Sequence, residues 1–373
     1  MNRNVCETKN FFFFLLSTTL LIGCSIDLNA NININSDSTS QSGSEGGSGV
    51  YVYTAGYSDA SLHLSSLNTT TGALTAVTSY SVTASPRSIA RSSDGSCLWV
   101  ASAGGTVHEY SVDSSDGTLT QVGTKTLTSP YTVYVHPTLS VLYVGYSQNI
   151  QSYTINSDCT LSALGAANSL AASHQVAGMS IVGDYLFTNV NGIGWDYTYV
   201  HSINAGTGAL TAFDDALTHS QTTVAVVARE GTASNLFQAF ALNWQGGFYQ
   251  NNFDSSGPTL TGMVASRSVG LINNYKIFFG PDSRLYVPTR DYIWIGTLDA
   301  SGAPTSSKSI DLPGAADTFG AGQVLFQSSS LVLITSINQD RLYSFDFTAD
   351  TLTEIDSVSI GDNPAFGAEL IEF

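Results

Sequence analysis

The sequence predicts an all-β fold, a seven-bladed β-propeller with four-stranded antiparallel blades. Two repeated motifs and the lack of helical periodicity predict it. A short apolar segment recurs seven times, a turn motif recurs in the same phase, and no 11-residue window has the apolar spacing of an amphipathic helix. Of the 373 residues, 43% are hydrophobic and only 11% are charged. That composition suits sheets that stack radially and bury both faces.

The apolar segment marks the second strand of each unit. Its copies begin 44 to 50 residues apart and read VYVYTA at 50, LWVASA at 98, LYVGYS at 142, LFTNVN at 186, LFQAFA at 236, LYVPTR at 285 and LVLITS at 331. A period of this length indicates one supersecondary unit that is used repeatedly.

The turn motif marks the hairpin before the fourth strand. Clear copies are TTTGALT at 69–75, SSDGTLT at 114–120 and AGTGALT at 205–211. Gly, Asp and Asn supply the backbone freedom that a tight hairpin needs. In the second unit, four strands are therefore predicted at 87–91, 97–102, 107–112 and 119–127.

The two ends of the repeated region predict how the ring closes. The region starts at Val50 with a second-strand segment, and the chain ends with AFGAELIEF at 365–373. The final segment fits the innermost strand that the first unit lacks. We therefore expect one blade of three N-terminal strands and one C-terminal strand, which removes a free sheet edge. A linear solenoid is the alternative, but it would need polar caps at both ends.

The first 49 residues have the composition of a leader and a linker. Residues 1–23 read as a signal peptide, because the apolar run 11–23 is too short to span a bilayer. The run ends in LIGC at 21–24, which resembles a bacterial lipobox and implies lipid on Cys24. An ordinary secretory signal with an incidental cysteine is the alternative. Residues 24–49, rich in Ser, Asn and Gly, are then a flexible tether, and 50–373 form the propeller.

The leader predicts an extracytoplasmic protein that is attached to the membrane through its N-terminal lipid. Several acyl chains hold a protein stably. Ser25, rather than an aspartate, follows the cysteine, which implies the outer membrane if the bacterium has two membranes.

Charge and motif content exclude several classes of partner. The 29 acidic and 12 basic residues give a net charge of −17, which argues against nucleic acid. The chain lacks H-E-x-x-H, C-x-x-C, G-x-S-x-G and P-loop patterns, so we expect no metal and no cofactor. Asp-rich hairpins could hold Ca²⁺, although exposed acidic turns are more often only solvated. We expect a monomer.

Cys97 and Cys159 remain after processing of the leader. They fall in turns of neighbouring units, one between the first two strands and the other between the last two. A disulfide requires Cα atoms within about 7 Å of each other. We expect these turns to lie too far apart and the two thiols to be unpaired.

The combination of LYV strands, D-x-x-G-x-LT hairpins and SPDG-like turns over 50–373 resembles the seven-bladed lactonase family and the related YVTN-repeat proteins. This resemblance to 6-phosphogluconolactonase-like propellers implies a histidine, arginines and a glutamate near the central channel that open an acidic sugar lactone. Arg290, in LYVPTR, matches the family's LY-x-SNR arginine. His174 lies within one residue of the family's inner-strand histidine. These two are the candidate catalytic residues.

The sequence departs from the family one unit further on. Where the family has a G-P-R-H start and an Asn-Glu pair, this chain has QTTV at 221–224 and AFA at 239–241. Arg87 resembles the Pro-Arg element but sits in a different unit. Losing a general acid–base group typically costs a factor of about 10²–10⁴ in rate. Arg290 paired with Asp291, and His174 as an ordinary hydrogen-bonded polar residue, are the structural alternatives.

Aromatic residues mark a second candidate site. Trp195 and Tyr197, and Trp244 and Tyr249, lie in equivalent connections of consecutive units, on the face that also carries His174. Trp and Tyr flanked by amides can stack on a sugar ring or anchor a protein partner. Packing between blades is the alternative.

These observations predict a lipid-anchored binding module at the cell envelope, with a carbohydrate or protein ligand. Trp195, Tyr197, Trp244, Tyr249 and Arg87 are its candidate binding residues. A lactonase-like hydrolase that uses His174 and Arg290 is the alternative. Because the acid and one arginine of the family are missing, we favour binding over catalysis.

Overall fold

The computed structural model describes residues 49–170, 174–192, 196–219, 223–243, 247–268, 276–313, 319–361 and 367–373. Within these ranges the regular structure consists of strands. None of the described segments forms an apolar helix of membrane-spanning length. The predicted leader, Cys24 and most of the tether lie outside the described residues.

The strands form seven antiparallel sheets, the blades of the predicted propeller. From the axis outward, blade 1 contains β29 (Ala368–Glu372), β1 (Val50–Gly56), β2 (Ser61–Leu67) and β3 (Leu74–Ser81). Blade 2 contains β4 (Pro86–Arg91), β5 (Cys97–Ser102), β6 (Thr106–Val112) and β7 (Leu119–Thr126). Blade 3 contains β8 (Pro130–Val135), β9 (Val141–Tyr146), β10 (Asn149–Ile155), β11 (Leu161–Ala163) and β12 (Asn168–Ser169). Blade 4 contains β13 (His174–Val182), β14 (Tyr185–Gly192), β15 (Asp196–Ile203) and β16 (Leu210–His219).

The remaining three blades follow the same order from the axis outward. Blade 5 contains β17 (Thr223–Glu230), β18 (Leu236–Asn243), β19 (Gly247–Asp254) and β20 (Thr259–Ser268). Blade 6 contains β21 (Phe278–Phe279), β22 (Leu285–Pro288), β23 (Tyr292–Leu298) and β24 (Pro304–Asp311). Blade 7 contains β25 (Ala321–Phe326), β26 (Leu331–Ser336), β27 (Arg341–Thr348) and β28 (Thr351–Ser359). In blade 3 the outer strand is split into β11 and β12, which both pair with β10.

The ring closes through the two ends of the chain, as the sequence predicts. Strand β29 pairs antiparallel with β1, from Val50 opposite Glu372 to Thr54 opposite Ala368. Strand β29 also contacts β4 of blade 2 and β25 of blade 7. The propeller is therefore closed, and the linear solenoid is excluded.

Aromatic side chains of the second strands tie each blade to the next. The Tyr53 hydroxyl donates to the carbonyl of Gly117 at 2.5 Å, and Tyr143 donates to Gly208 at 2.8 Å. Both carbonyls belong to the outer hairpin of the following blade. The two sequence motifs thus meet at the blade boundaries. Apolar clusters fill the rest of these boundaries, such as the one formed by Leu64 and Leu98 between blades 1 and 2.

The prediction for the two cysteines was wrong, because Cys97 and Cys159 form a disulfide between blades 2 and 3. Their Cα atoms are 5.4 Å apart. The outer hairpin of blade 3 packs over β5 of blade 2, and the Trp99 indole donates to the Cys159 carbonyl at 3.1 Å. Cys159 has φ of 67°, at the hairpin position where Gly117 and Gly208 stand with φ of 72° and 75°. A cysteine thus replaces the usual glycine of the hairpin motif and reaches the neighbouring blade.

Candidate functional site

The innermost strands of the seven blades enclose a region that we call the hub. These strands are β29, β4, β8, β13, β17, β21 and β25. Among the described residues on or beside these strands, three charged ones interact with one another: Glu369 on β29, Arg91 at the end of β4, and Lys276 just before β21. Arg91 Nε lies 3.9 Å from Glu369 Oε2, and each of the two side chains is 30% exposed. This trio therefore combines one carboxyl group with two cations.

Burial among the inner strands controls the protonation of the Glu369 carboxyl group. It raises the pKa of Glu369 to about 7, although the charges of Arg91 and Lys276 act in the opposite direction. Burial also lowers the pKa of Lys276, an effect that Glu369 partly offsets. The Tyr134 hydroxyl on β8 has a raised pKa, chiefly from burial and further from the Glu369 charge. The Glu369 carboxyl consequently changes charge close to neutral pH, as a general base or acid must.

Sequence reasoning missed the hub residues. The signal that could have found them is a charge inside an apolar inner strand, as in Ile89-Ala90-Arg91 and Glu369-Leu370-Ile371. A charge at such a position costs desolvation free energy unless an opposite charge or a hydrogen bond compensates it.

Arg87 lies on the face where the chain enters the innermost strands, which we call the upper face. Its guanidinium donates to the Tyr131 hydroxyl at 2.7 Å and to the Tyr57 hydroxyl at 3.0 Å. The guanidinium carbon also lies 4.2 Å and 4.7 Å from the centres of the two rings. Since Tyr57 follows β1 and Tyr131 belongs to β8, Arg87 links blades 1, 2 and 3.

The two candidate catalytic residues lie in different blades. Arg290 is in the turn between β22 and β23 of blade 6, and its carbonyl accepts the Gly320 amide at 2.9 Å. His174 is the first residue of β13 in blade 4, with its backbone opposite Gly192. Only the backbone of His174 is described. Blade 5 separates the two strands along the ring.

Two of the candidate aromatic residues, Tyr197 and Tyr249, are described, on β15 of blade 4 and β19 of blade 5. Tyr249 is buried, and its ring stacks on His219 with the ring centres 4.8 Å apart. Tyr197 is partly exposed on β15, with its ring 5.7 Å from that of Tyr199. Trp195 and Trp244 lie outside the described residues.

Buried polar contacts occupy the start of blade 5, where the sequence departs from the pattern of the family that it resembles. The Thr223 amide donates to Asp196, and the Thr223 hydroxyl lies 2.7 Å from Asn189 Oδ1 and 3.1 Å from Asp196 Oδ2. All three side chains are buried. The segment 239–241 is buried among apolar residues and offers no carboxyl group.

A Ser-His-Asp contact in blade 1 lacks the geometry of a nucleophilic relay. Ser61 Oγ and Asp59 Oδ2 both approach His63 Nε2, at 2.5 Å and 3.0 Å. In a catalytic relay the two partners bind opposite ring nitrogens. In the part of the chain that the structure covers, no group of histidine, cysteine and acidic side chains could hold a metal ion.

Comparison with known proteins relates the propeller to one family of that fold. Residues 50–221 match the family model "Lactonase, 7-bladed beta-propeller". No match was found in a sequence search of curated proteins.

Solved structures agree with the family match. A proposed 6-phosphogluconolactonase from Bacteroides fragilis superposes with a TM-score of 0.67 at 16% identity, over 88% of this chain and 99% of the other. The periplasmic gluconolactonase of Pseudomonas aeruginosa gives 0.65 at 15% identity, over 87% and 99%. The resemblance to the seven-bladed lactonase propellers is thus confirmed, and at these identities the structures establish the fold alone.

Proposed function

We propose that the protein is an extracytoplasmic, lipid-anchored propeller of the lactonase type that binds a polar ligand on its upper face. Disulfides persist mainly in oxidising compartments, so the Cys97–Cys159 bridge supports export. The LIGC motif that ends at Cys24 supports lipid attachment. A periplasmic gluconolactonase among the structural neighbours shows that this fold also occurs outside the cytoplasm.

The observation that carries the binding function is the replacement of reactive groups at the start of blade 5. Thr223 and Asp196 form a buried polar contact where the family has an arginine, and 239–241 contribute only apolar side chains. Elsewhere on the upper face, Arg87 with its two tyrosines offers a cationic and aromatic surface. Such surfaces suit recognition of sugars or proteins.

An array of glycans and envelope proteins tests this function. Purified wild-type protein should bind a restricted set of array members, and Trp244→Ala should lose them. Val77→Ala is the control, because Val77 is 45% exposed on β3, the outer strand of blade 1. An array without signal, or a signal that Trp244→Ala leaves unchanged, contradicts the proposed site.

Lactone hydrolysis is the second candidate function, and two observations favour it. One is the family match over 50–221, and the other is Glu369 with a pKa of about 7 beside two cations. Wild-type protein and Arg290→Ala should be assayed for opening of sugar lactones. If wild type exceeds the buffer rate and the variant does not, the protein is an enzyme and the binding-only function is wrong.

A further inference from the structure

We propose that the outer edge of blade 1 is a docking site for a segment of this same chain, residues 32–35 of the tether, which would add to β3 as a fifth strand. The site lies on the outer rim of the propeller and goes beyond the ligand binding proposed above. Residues 32–35 lie outside the described residues.

Strand β3 is an unprotected sheet edge. It pairs with β2 and is the last strand of its sheet. Native sheet edges are commonly protected by charged residues or proline. Every other outer strand of eight or more residues contains a charged side chain; examples, one from each strand, are Lys125, Asp214, Arg267, Lys308 and Glu354. Strand β3, with the sequence LTAVTSYS, contains no charge and no proline. A β-bulge is present in β3 but also in β7 and β28, so it does not distinguish this edge.

Two exposed apolar side chains mark this edge. Among the described residues, the large apolar side chains that remain exposed are Val77 on β3, at 45%, and Ile355 on β28, at 41%. The two strands are neighbours, since the Leu74 amide donates to Asp356 Oδ2 at 2.8 Å. Ile355 packs over Gly72 in the hairpin that leads into β3, where a Cβ atom would lie 2.6 Å from its Cδ1. A strand on this edge would therefore cover apolar surface of both blades.

The tether contains a short segment with the pattern of a half-buried strand. Residues 28–35 read LNANININ, a strict alternation of apolar residues and asparagine, whereas 36–49 read SDSTSQSGSEGGSG. Such alternation is typical of a strand with one face against a protein and the other in water. In residues 32–35 it places Ile32 and Ile34 on one face, which matches the two exposed apolar side chains of the edge. Because the segment and β3 are both uncharged, no like charges would oppose each other across the pair.

The length and attachment of the tether allow this pairing. Val50 at the start of β1 pairs with Leu67, and Leu67 pairs with Leu74 at the start of β3, so all three lie at one end of the blade. A strand antiparallel to β3 would end beside Leu74, three strand spacings or about 14 Å from β1. A Gly- and Ser-rich segment as long as 36–49 has a root-mean-square span of about 20 Å. The attachment therefore keeps 32–35 at a high effective concentration near the edge.

Docking would set the distance between the propeller and its membrane anchor. This consequence rests on the lipid attachment at Cys24, which is part of the proposed function. Without docking, residues 25–49 separate the lipid from the propeller and can reach about 85 Å when fully extended. With 32–35 on β3, residues 25–31 remain, which reach about 25 Å. The edge of blade 1 would thus act as a latch that shortens the tether.

Cysteine cross-linking tests the contact in cells that express the full chain with its own leader. Ile32→Cys with Val77→Cys should form an intramolecular disulfide, which requires Cα atoms within about 7 Å of each other. Non-reducing peptide mass spectrometry identifies the cross-link.

Two control pairs should give at most about a tenth of that yield, because neither brings its thiols within reach. Asn33→Cys with Val77→Cys puts one thiol on the opposite face of the docked strand. Ile32→Cys with Val122→Cys uses β7 instead, where Val122 is the bulge residue as Val77 is in β3. Lys125 protects that edge.

Hydrogen exchange provides a second test that leaves the propeller sequence unchanged. The double variant Ile32→Ser with Ile34→Ser alters only the tether. Docking should slow exchange of the amides of 74–81 in the wild-type protein at least about tenfold relative to this variant, because new interstrand hydrogen bonds would protect them. Exchange of 119–126, which form β7, should be equal in the two proteins.

The proposal would be overturned by equal yields from the test pair and its controls, by no cross-link in the test pair, or by equal exchange of 74–81 in wild type and the double variant. A disulfide between two chains would also overturn it, since a second copy would then occupy the edge. These measurements require neither lipid nor a bound ligand, so their outcome is separate from that of the proposed function.

Discussion

Trp99 donates its indole N–H to the carbonyl of Cys159 in the neighbouring blade, at 3.1 Å. Two residues before Trp99, Cys97 forms a disulfide with the same Cys159. The hairpin of blade 3 is thus fixed to β5 of blade 2 through its backbone and its side chain. Other blade boundaries have a tyrosine hydroxyl on a glycine carbonyl in this place, without the covalent bond.

Removal of the disulfide should destabilise the propeller. The bridge closes a loop with a sequence separation of 62, for which the chain-entropy estimate is about 4 kcal/mol. Cys97→Ser with Cys159→Ser should therefore lower the free energy of unfolding by up to about 4 kcal/mol, measured by urea denaturation.

Cys97→Ser with Cys159→Gly is the informative companion variant. Glycine at 159 relieves the positive φ of 67°, so this variant should recover part of the lost stability. If the serine pair is as stable as wild type, the bridge contributes nothing to the fold.

The fold was predictable from the sequence because each blade repeats the same strand and hairpin. The disulfide was not, although both cysteines were noted. Their contact depends on how the hairpin of one blade stacks on the next, which the spacing of Cys97 and Cys159 does not reveal. The substitution of Cys159 for the hairpin glycine was the available signal.

The Arg87 contacts predict that this arginine stabilises the junction of blades 1, 2 and 3. Tyr131→Phe removes the hydroxyl 2.7 Å from the guanidinium and should cost about 1–2 kcal/mol of unfolding free energy, measured by denaturation. Arg87→Lys should also destabilise, because an ammonium cannot contact both hydroxyls and stack on both rings. Arg341→Lys on β27 is the matched control. If Arg87→Lys destabilises the protein no more than that control does, the contacts of Arg87 with Tyr57 and Tyr131 do not stabilise the junction of the blades.

The hub charges were harder to predict than the upper-face residues. Along an inner strand, a side chain can face either neighbouring blade or the axis, and only the closed ring decides which. Glu369 and Arg91 lie on strands from opposite ends of the chain, β29 and β4. Their proximity follows from the closure of the ring, so local patterns could not reveal it.

Lipid attachment at Cys24 predicts a specific labelling result. Cells that express wild-type protein with a clickable palmitate analogue should show a labelled band, because acylation requires the cysteine thiol. Cys24→Ala should abolish the label and release the protein from membranes. Cys97→Ala is the control for a cysteine in the propeller and should keep the label. Equal labelling of wild type and Cys24→Ala contradicts the lipobox.

The buried histidines predict how stability depends on pH. His201 and His219 are at most 1% exposed, and burial lowers the pKa of each to about 4, from the ordinary value of 6.5. Both are therefore neutral in the folded protein near pH 5, whereas the unfolded chain binds protons there. Since the unfolded state binds more protons, stability should rise between about pH 4 and 6.5, by roughly 3 kcal/mol for each histidine.

Glu369 has the opposite effect on the pH dependence of stability over part of the same pH range. Its pKa is raised to about 7, so the folded protein holds this proton more tightly, and the associated stability is lost as the pH rises from 4.5 to 7. The two histidines together should outweigh the single, partly exposed carboxyl. Net stability should therefore still increase from pH 4 to pH 6.5.

His201→Phe isolates one of these contributions. Among the described residues, neither ring nitrogen of His201 has a hydrogen-bond partner, so an aromatic ring of similar size can replace it without leaving a polar group unpaired. The variant should match wild type at pH 7 and exceed it at pH 5 by about 2 kcal/mol in urea denaturation. Val77→Ala, at an exposed site on β3 without a titratable side chain, should leave the pH dependence as it is in wild type. If His201→Phe instead lowers stability at both pH values, His201 has a polar partner in solution, and its burial as a neutral, unpaired ring is wrong.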